Sequence, residues 1–397
     1  MPTALLTLGR LPKALAIARA LRTQGYRVII AEPFAWHVSR VSRDVDQSFR
    51  LPAPNKNPQA YQEALLGLIR KERVDLVVPI SEESHYVLAI RQYLPPQVTL
   101  FGPEMALYRT LADKAEFIDT AIQKSLTVPR SAPANSPLAA HIAKTVDYVT
   151  KPINGCSGID VEFHRAGDAL TNHSPGLLVQ QAIQGDVISS LSMIKAGEIQ
   201  ATTVYKGSVF AGTVAICFER LEDDLVDKVS EWIQRFVRDL DYSGFVAFDF
   251  IVDASGIPHA IECNPRLTSG VHFFTADSLG AALASHDKAA LITHKNSAWQ
   301  WRYSTLTEAY SALFAGDLKE FWRRLKLCWA VADVVWSWRD PLPFLLMTPL
   351  SWPILKPALL EGISLGEACQ RDIAPLWSAT TTQALSGQGL SGADNEA

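Results

Sequence analysis

The stretch VAFDFIVDASGIPHAIECNPR, residues 246–266, sets three oxygen donors, Asp249, Glu262 and Asn264, among strand-forming apolar residues. Val246 to Val252 and His259 to Asn264 are β-rich runs separated by the turn formers Asp253, Ala254, Ser255 and Gly256, which predicts a hairpin. With the reversal centred on Ser255 and Gly256, Asp249 falls opposite Glu262, and the two-residue period of a strand puts Asn264 on the same face. Phe248, Phe250 and Ile261 then turn into a core, as does Cys263. Two carboxylates facing each other repel unless a cation or a proton lies between them. Mg²⁺ suits such a site, taking hard oxygen ligands from one or two carboxylates and the rest from water and phosphates. Mn²⁺ accepts the same ligands. A hairpin whose polar face is simply solvated is the other reading, and the rest of the chain must choose between them.

The chain has 397 residues, enough for two or three domains with substantial cores. It is 48% hydrophobic and 20% charged, the composition of a globular protein. A net charge of -4 gives no general basis for binding nucleic acid or an anionic membrane. Five cysteines without a CxxC argue for a reducing compartment, and the opening MPTALLTLGRLPKALA lacks the pattern of a signal peptide. The cytoplasm is the expected location. Pro341 to Leu355, with four prolines, is too short and broken to span a bilayer.

Working outward from the hairpin, residues 1–102 read as an α/β domain with a parallel sheet: β-rich Thr3 to Gly9 and Arg27 to Glu32 flank a helix, and the strand Val74 to Ile80 follows another. The first turn, LGRLPK, has no GxGxxG, so a dinucleotide fingerprint is absent. Ligands of such sheets sit at the carboxyl ends of the strands, here near Gly9 to Lys13, Glu32 and Ser81-Glu82-Glu83. A second unit covers 103–290, with a smaller subdomain at about 130–185 and an amphipathic helix over Asp223 to Leu240. Eight of the ten tryptophans lie beyond residue 298, and Leu318, Phe321, Trp322, Leu325, Cys328, Trp329, Ala332 and Trp336 recur at helical spacing. This predicts a Trp-rich helical extension over 291–377, its stripe buried in a core or subunit contact, with weak membrane-surface contact near Lys319, Arg323, Arg324 and Lys326 as the other reading. A homodimer is among the expectations, and the polar residues 378–397 read as a disordered tail.

Upstream of the hairpin, Lys151 ends a strand and runs into a loop, KPINGCSG, whose Gly155, Ser157 and Gly158 let backbone N–H groups approach phosphate oxygens. A plain hairpin turn with an exposed lysine explains that loop equally well. About thirty residues later, LLVQQAIQGD breaks from an apolar strand into a polar turn. There the backbone near Gln180 and Gln181 can meet the edge of an adenine, Ile183 its face, and Asp186 a ribose hydroxyl.

The order of these elements resembles the ATP-grasp superfamily over roughly residues 1–285. The resemblance matches Lys114 in LADKAEF and Lys151 in VTKPINGCSG to the two nucleotide lysines. It matches Asp249, Glu262 and Asn264 to the metal ligands, and Arg266 in ECNPR to the arginine that meets the transferred phosphate. It departs at Gln181, where an acid is common, and at Asp186, since the ribose-binding acid usually stands one place later, at Val187. GRLPKALAIARALRTQGYRVIIAE, SRVSR, LPAP and WRDPLPF look like the ATP-grasp ligases that join glycine to 4-deoxygadusol, and like uncharacterised carbamoyl-phosphate-synthase-like relatives. VVPISEESHYVL and the KPINGCSG loop are more similar to the broad amino-acid-ligase pattern.

The resemblance implies an N-terminal pre-ATP-grasp domain and a two-subdomain ATP-grasp fold of the α/β class, with ATP and Mg²⁺ as cofactors. It implies a carbon–nitrogen ligase that phosphorylates a small acid, or an enol, and joins it to an amine, with release of ADP and phosphate. Ser189, Ser269 and Gly270 would line the acceptor pocket, His272 would be a base for the amine, and Glu82 and Glu83 would receive an ammonium group. A bicarbonate-phosphorylating enzyme and a non-catalytic ATP-binding module are the competing readings.

Overall fold

The computed structural model describes residues 1–155, 161–211, 214–222, 224–285, 292–363 and 365–375. The predicted disordered tail and the loop residues Ser157 and Gly158 lie outside this set. Leu5, Leu6, Ile29 and Ile30 have no exposed surface, as strands covered on both faces require. They belong to a parallel sheet of β1 (Thr3–Leu6), β2 (Arg27–Glu32), β3 (Gln47–Arg50), β4 (Leu76–Val78) and β5 (Thr99–Leu100), in the order β3-β2-β1-β4-β5. Leu5 and Ile29 pack on one face with Tyr61 and Leu65 of the helix Pro58–Lys71. Leu6 and Ile30 pack on the other with Phe245, Val271 and Leu279, residues of the second unit. The two units therefore share one core. Helix Pro12–Thr23 lies against helix Ala276–Ala284, where a Cβ on Gly280 would come 2.1 Å from the Ala20 carbonyl oxygen.

A four-stranded antiparallel sheet follows, from β6 (Ser131–Pro133), β7 (Tyr148–Pro152), β8 (Glu162–His164) and β9 (Leu177–Gln181), in the order β6-β9-β7-β8. The third sheet takes β10 (Asp186–Lys195), β11 (Glu198–Ala211), β12 (Val214–Arg220), β13 (Gly244–Val252), β14 (Pro258–Asn264), β15 (Ala298–Gln300) and β16 (Ala332–Asp333). Its order is β14-β13-β10-β11-β12-β15-β16, so the 246–266 hairpin forms one edge and the C-terminal extension the other. Under the hairpin, Phe248 and Phe250 pack on Trp232, each at 5.3 Å between ring centroids. Helix Asp224–Val237 buries that stripe, with Val229, Ile233 and Phe236.

The extension is mostly helical but departs from the expected stripe. Helix Leu318–Ala330 stops before Ala332, because Ala332–Asp333 pairs in parallel with β15. There the Asp333 carboxylate accepts the N–H groups of Val335, Trp336 and Arg302. Of that helix only Cys328 is buried, while Trp322 is 57% and Trp329 86% exposed, so those tryptophans are not core in this chain. GRLPKALAIAR, SRVSR and WRDPLPF, far apart in sequence, meet in space. The Asp340 carboxylate accepts from Arg19, from Ser42 Oγ at 2.6 Å and from the Arg43 N–H. Arg10 reaches Glu32 and Asp372 at once, each at 2.5 Å, under the ring of Phe34. No helix among the described residues is long and apolar enough to cross a membrane.

Candidate nucleotide and metal site

The hairpin pairs Asp249 with Glu262 and Ala247 with Asn264. It reaches that register by a route the sequence reading lacks. Val252 closes on Pro258 over a longer turn, in which Asp253 Oδ1 accepts the N–H groups of Ser255 and Ile257 and Gly256 adopts φ +72°. A bulge between Asp249 and Phe250 then restores the offset. Phe250 therefore faces Ala260, and it is Ala260, not Ile261, that packs in the core with Cys263. The bulge leaves the Ile261 carbonyl free of the ladder, and the Lys151 ammonium donates to it at 3.0 Å.

Around the pair the polar groups form a chain. Asp249 Oδ1 accepts from Ser189 Oγ at 2.6 Å, and its Oδ2 from Asn264 Nδ2 at 3.2 Å. Asn264 Oδ1 accepts from the Arg266 guanidinium at 3.0 Å, which pairs with Glu82 at 2.6 Å. Glu262 lies 3.7 Å from the Lys114 ammonium. Burial, and then the neighbouring Glu262 charge, push the Asp249 carboxyl up to about 6. Burial holds Lys151 down at about 8 against the opposing pull of Glu262 and Asp249.

Local sequence explains how the lysines arrive. Helix Met105–Ala112 ends at Asp113, whose side chain caps helix Lys114–Gln123 by accepting from the Ala115 and Glu116 N–H groups. Lys114 is thereby fixed as the first helical residue, donating to the Gly155 carbonyl at 2.6 Å. Lys151 ends β7 and also donates to Gln180 Oε1 at 2.9 Å across the β7–β9 pair. Gln180 is buried and its side chain works inside the sheet, whereas Gln181 meets Arg130 near the surface. Beyond β9, Ile183 is half-buried and Asp186 exposed. Gly185 between them is required: a Cβ there would lie 1.9 Å from the Val252 carbonyl oxygen.

The remaining named residues divide. Ser189 is committed to Asp249. Glu83 is wholly buried: its Oε1 accepts from Thr7 Oγ1 and the N–H groups of Ile80 and Ser81, bracing the strand ends, while its Oε2 has no hydrogen-bond partner among the described residues. Ser269, Gly270 and His272 share a 3₁₀ turn, Ser269–Phe273, with Gly270 packed on Leu191 and Tyr205. His272 turns away from Arg266 into a different cavity, beside Phe218 and Trp299. Burial holds its imidazole down at about 3. A cavity of about 160 Å³ lies beside Glu262, Asn264, Arg266 and Glu82, walled by Tyr108, Asn154, Ala374 and Pro375.

Residues 111–270 match the model of the ATP-grasp domain. That segment is similar to ATP-grasp domains. Solved structures agree in fold over about three quarters of the chain. The biotin carboxylase domain of Hydrogenobacter thermophilus 2-oxoglutarate carboxylase, in complex with MgADP and bicarbonate, superposes with TM-score 0.59 at 14% identity, covering 74% of this chain and 72% of that one. The L-amino acid ligase of Bacillus licheniformis gives 0.56 at 16%, covering 72% and 74%. N5-carboxyaminoimidazole synthetase of Staphylococcus aureus, complexed with ADP, gives 0.58 at 12%, covering 74% and 79%. No curated protein matches in sequence.

Two further segments stand beside the hairpin site. Lys13, in the first turn of helix Pro12–Thr23, donates to Ser81 Oγ at 3.1 Å and to the Leu267 carbonyl at 2.9 Å. Burial and the Arg266 charge push it down to about 7. Only its place after the first strand hints at this position. The C-terminal segment returns as a wall, with the Ala374 carbonyl accepting from the Tyr86 hydroxyl at 3.3 Å, and nothing local in residues 372–375 signals that.

Proposed function

We propose that the protein is an ATP-dependent ligase that activates a small-molecule carboxylate by phosphorylation and joins it to an amine, an amino acid by preference, releasing ADP and phosphate. The observation that carries this reading is the convergence of Asp249, Glu262 and Asn264 with Lys114, Lys151 and Arg266 around one bulged hairpin. Asp249 and Glu262 are paired across the ladder, and burial beside Glu262 raises Asp249, a strain that a divalent cation between them relieves. Among the described residues no three His, Cys, Asp or Glu cluster as a metal cage, and a two-carboxylate site with one amide suits a cation that draws its other ligands from phosphates and water. Asp249, Glu262 and Asn264 would hold Mg²⁺, which supplies charge neutralisation at the nucleotide's terminal phosphates when bound.

Lys114 and Lys151 approach the hairpin from the other side and offer positive charge to the phosphates. The backbone around Gln181 and Ile183 receives adenine, and Asp186 stands at the ribose side. Arg266 meets the phosphoryl group and the acid. Its pair with Glu82 presents opposite charges 2.6 Å apart, the complement of an amino acid's carboxylate and ammonium. Attack of the amine on the acyl phosphate forms the C–N bond and expels phosphate, and the amine's proton leaves to solvent or to a neutral Lys13, whose depressed pKa suits it to accept one.

Phosphate release over a panel of acids and amines tests the reading. Turnover that needs one acid and one amine together supports it. Turnover stimulated by bicarbonate alone assigns the chain to carboxylase-like chemistry instead, and ATP binding without turnover to a non-catalytic module. Glu262→Gln abolishes ADP production while the melting temperature holds, and near-normal turnover in that variant removes the metal assignment.

A further inference from the structure

A second cavity, of about 190 Å³, lies behind the 3₁₀ turn 269–273, where helix Pro12–Thr23 meets the C-terminal extension. Its lining is rich in unused donors. Trp299 is 9% exposed, and its indole N–H has no hydrogen-bond partner among the described residues. His272 is 6% exposed and makes only ring contacts, with Phe218 and Trp299. Lys295 is exposed at the mouth of the cavity, its ammonium over the Trp299 ring at 5.0 Å. Arg19 uses its terminal nitrogen on the Val335 carbonyl and Asp340, leaving its buried Nε without a hydrogen bond and 3.9 Å from Asp44.

The one acid lining the cavity, Asp333, is spent: both its oxygens accept backbone N–H groups, from Arg302, Val335 and Trp336. Two buried donors of the lining, the Trp299 indole N–H and Arg19 Nε, are thus left without an acceptor among the described residues, with the Lys295 ammonium at the cavity's mouth. Buried polar groups normally find partners, so unfilled donors beside a roomy cavity point to a ligand. Burial, and then the Lys295 and Arg19 charges, push His272 down to about 3. The remaining lining, including Ala16, Val271, Phe274 and Leu279, is apolar.

We propose that this second cavity binds a short-chain organic monocarboxylate, its carboxylate held by Lys295, Trp299 and His272 and its carbon chain against Val271, Phe274 and Leu279. A volume of 190 Å³ equals that of about six waters in the liquid, which suits acids of about three to five carbons. Because the 3₁₀ turn carries His272 into this cavity and Gly270 against Tyr205, an occupant bears directly on the segment that follows Arg266. The inference does not rest on the ligase reading.

Calorimetric titration of the full chain with propionate, butyrate, pentanoate and inorganic phosphate tests it. One butyrate binds saturably, phosphate does not, and Lys295→Met weakens butyrate by at least about tenfold. Trp299→Phe, which keeps the ring and deletes the N–H, weakens it as well. Arg266→Met, in the ATP-grasp cavity, leaves it unchanged. In the NMR spectrum the His272 imidazole pKa rises on butyrate addition, because an anion favours the charged ring. Absence of saturable binding by all three acids overturns the proposal. So does binding that survives both Lys295→Met and Trp299→Phe, binding lost in Arg266→Met, or phosphate binding as tight as butyrate.

Discussion

Ser189→Ala isolates how the hairpin aims its carboxylates. The Ser189 hydroxyl, on β10 and paired in register with Asp249, donates to Oδ1 at 2.6 Å, while Oδ2 receives the longer bond from Asn264. A hydrogen bond to a charged group contributes about 1.5–3 kcal/mol. At 1.4 kcal/mol per tenfold that corresponds to roughly 10- to 100-fold in metal affinity, the range seen when partners of metal ligands are removed. The pair is only partly buried, so water takes up some of the lost bond and the lower end, about tenfold, is expected. The assay is ADP release against Mg²⁺ concentration at saturating ATP, with Mn²⁺ binding in the presence of ADP as an independent readout. The half-saturating Mg²⁺ rises about tenfold in Ser189→Ala, with a smaller fall in the maximal rate, and Ser189→Thr, which keeps the hydroxyl, restores most of it. A Mg²⁺ requirement unchanged in Ser189→Ala, or a Thr variant as impaired as the Ala variant, would refute the reasoning.

Other expectations concern stability. Burial alone would raise the Glu32 carboxyl, yet Arg10 holds it below its ordinary range, so Arg10→Met strands a buried charge and lowers unfolding free energy by about 3–5 kcal/mol in urea titration; adding Glu32→Gln should recover part of that, and no recovery would count against the pair. Gly185→Ala drives a methyl into the Val252 carbonyl at 1.9 Å and should destabilise by at least about 1–3 kcal/mol, read as a fall in thermal midpoint, whereas a neutral effect would mean the turn yields freely. Hydrogen bonds from Arg323 and then Arg324 hold Glu320 down at about 2. Its stabilisation of helix Leu318–Ala330 is therefore complete above its ordinary pKa and lost as pH falls through about 2. The gap in thermal midpoint between wild type and Glu320→Gln should close over that interval, and a gap constant from pH 6 to 2 would contradict it.

Much of the nucleotide site is legible along the chain because its signals are local. Alternation places Asp249, Glu262 and Asn264 on one face and a turn cluster sets the carboxylates opposite, whereas the Asp113 cap that starts a helix at Lys114 shows only in the structure. The bulge at Ile261 is harder to see, since a longer turn and one extra residue cancel and leave Asp249 opposite Glu262 either way. Only the structure shows that this irregularity frees the carbonyl that Lys151 holds.

The hairpin and its acidic pair needed nothing beyond residue type and spacing, because strand period and turn chemistry act over a few neighbours, while Lys114 and Lys151 were legible through the resemblance to the ATP-grasp superfamily. Where Glu83, His272 and Lys13 point, why Trp322 and Trp329 face solvent, and how Asp372 comes back to Arg10 across 362 residues belong to the tertiary structure alone. Those outcomes depend on which surfaces meet when three sheets pack around shared cores, and a side chain's burial and partners come from residues its own neighbourhood in sequence does not contain.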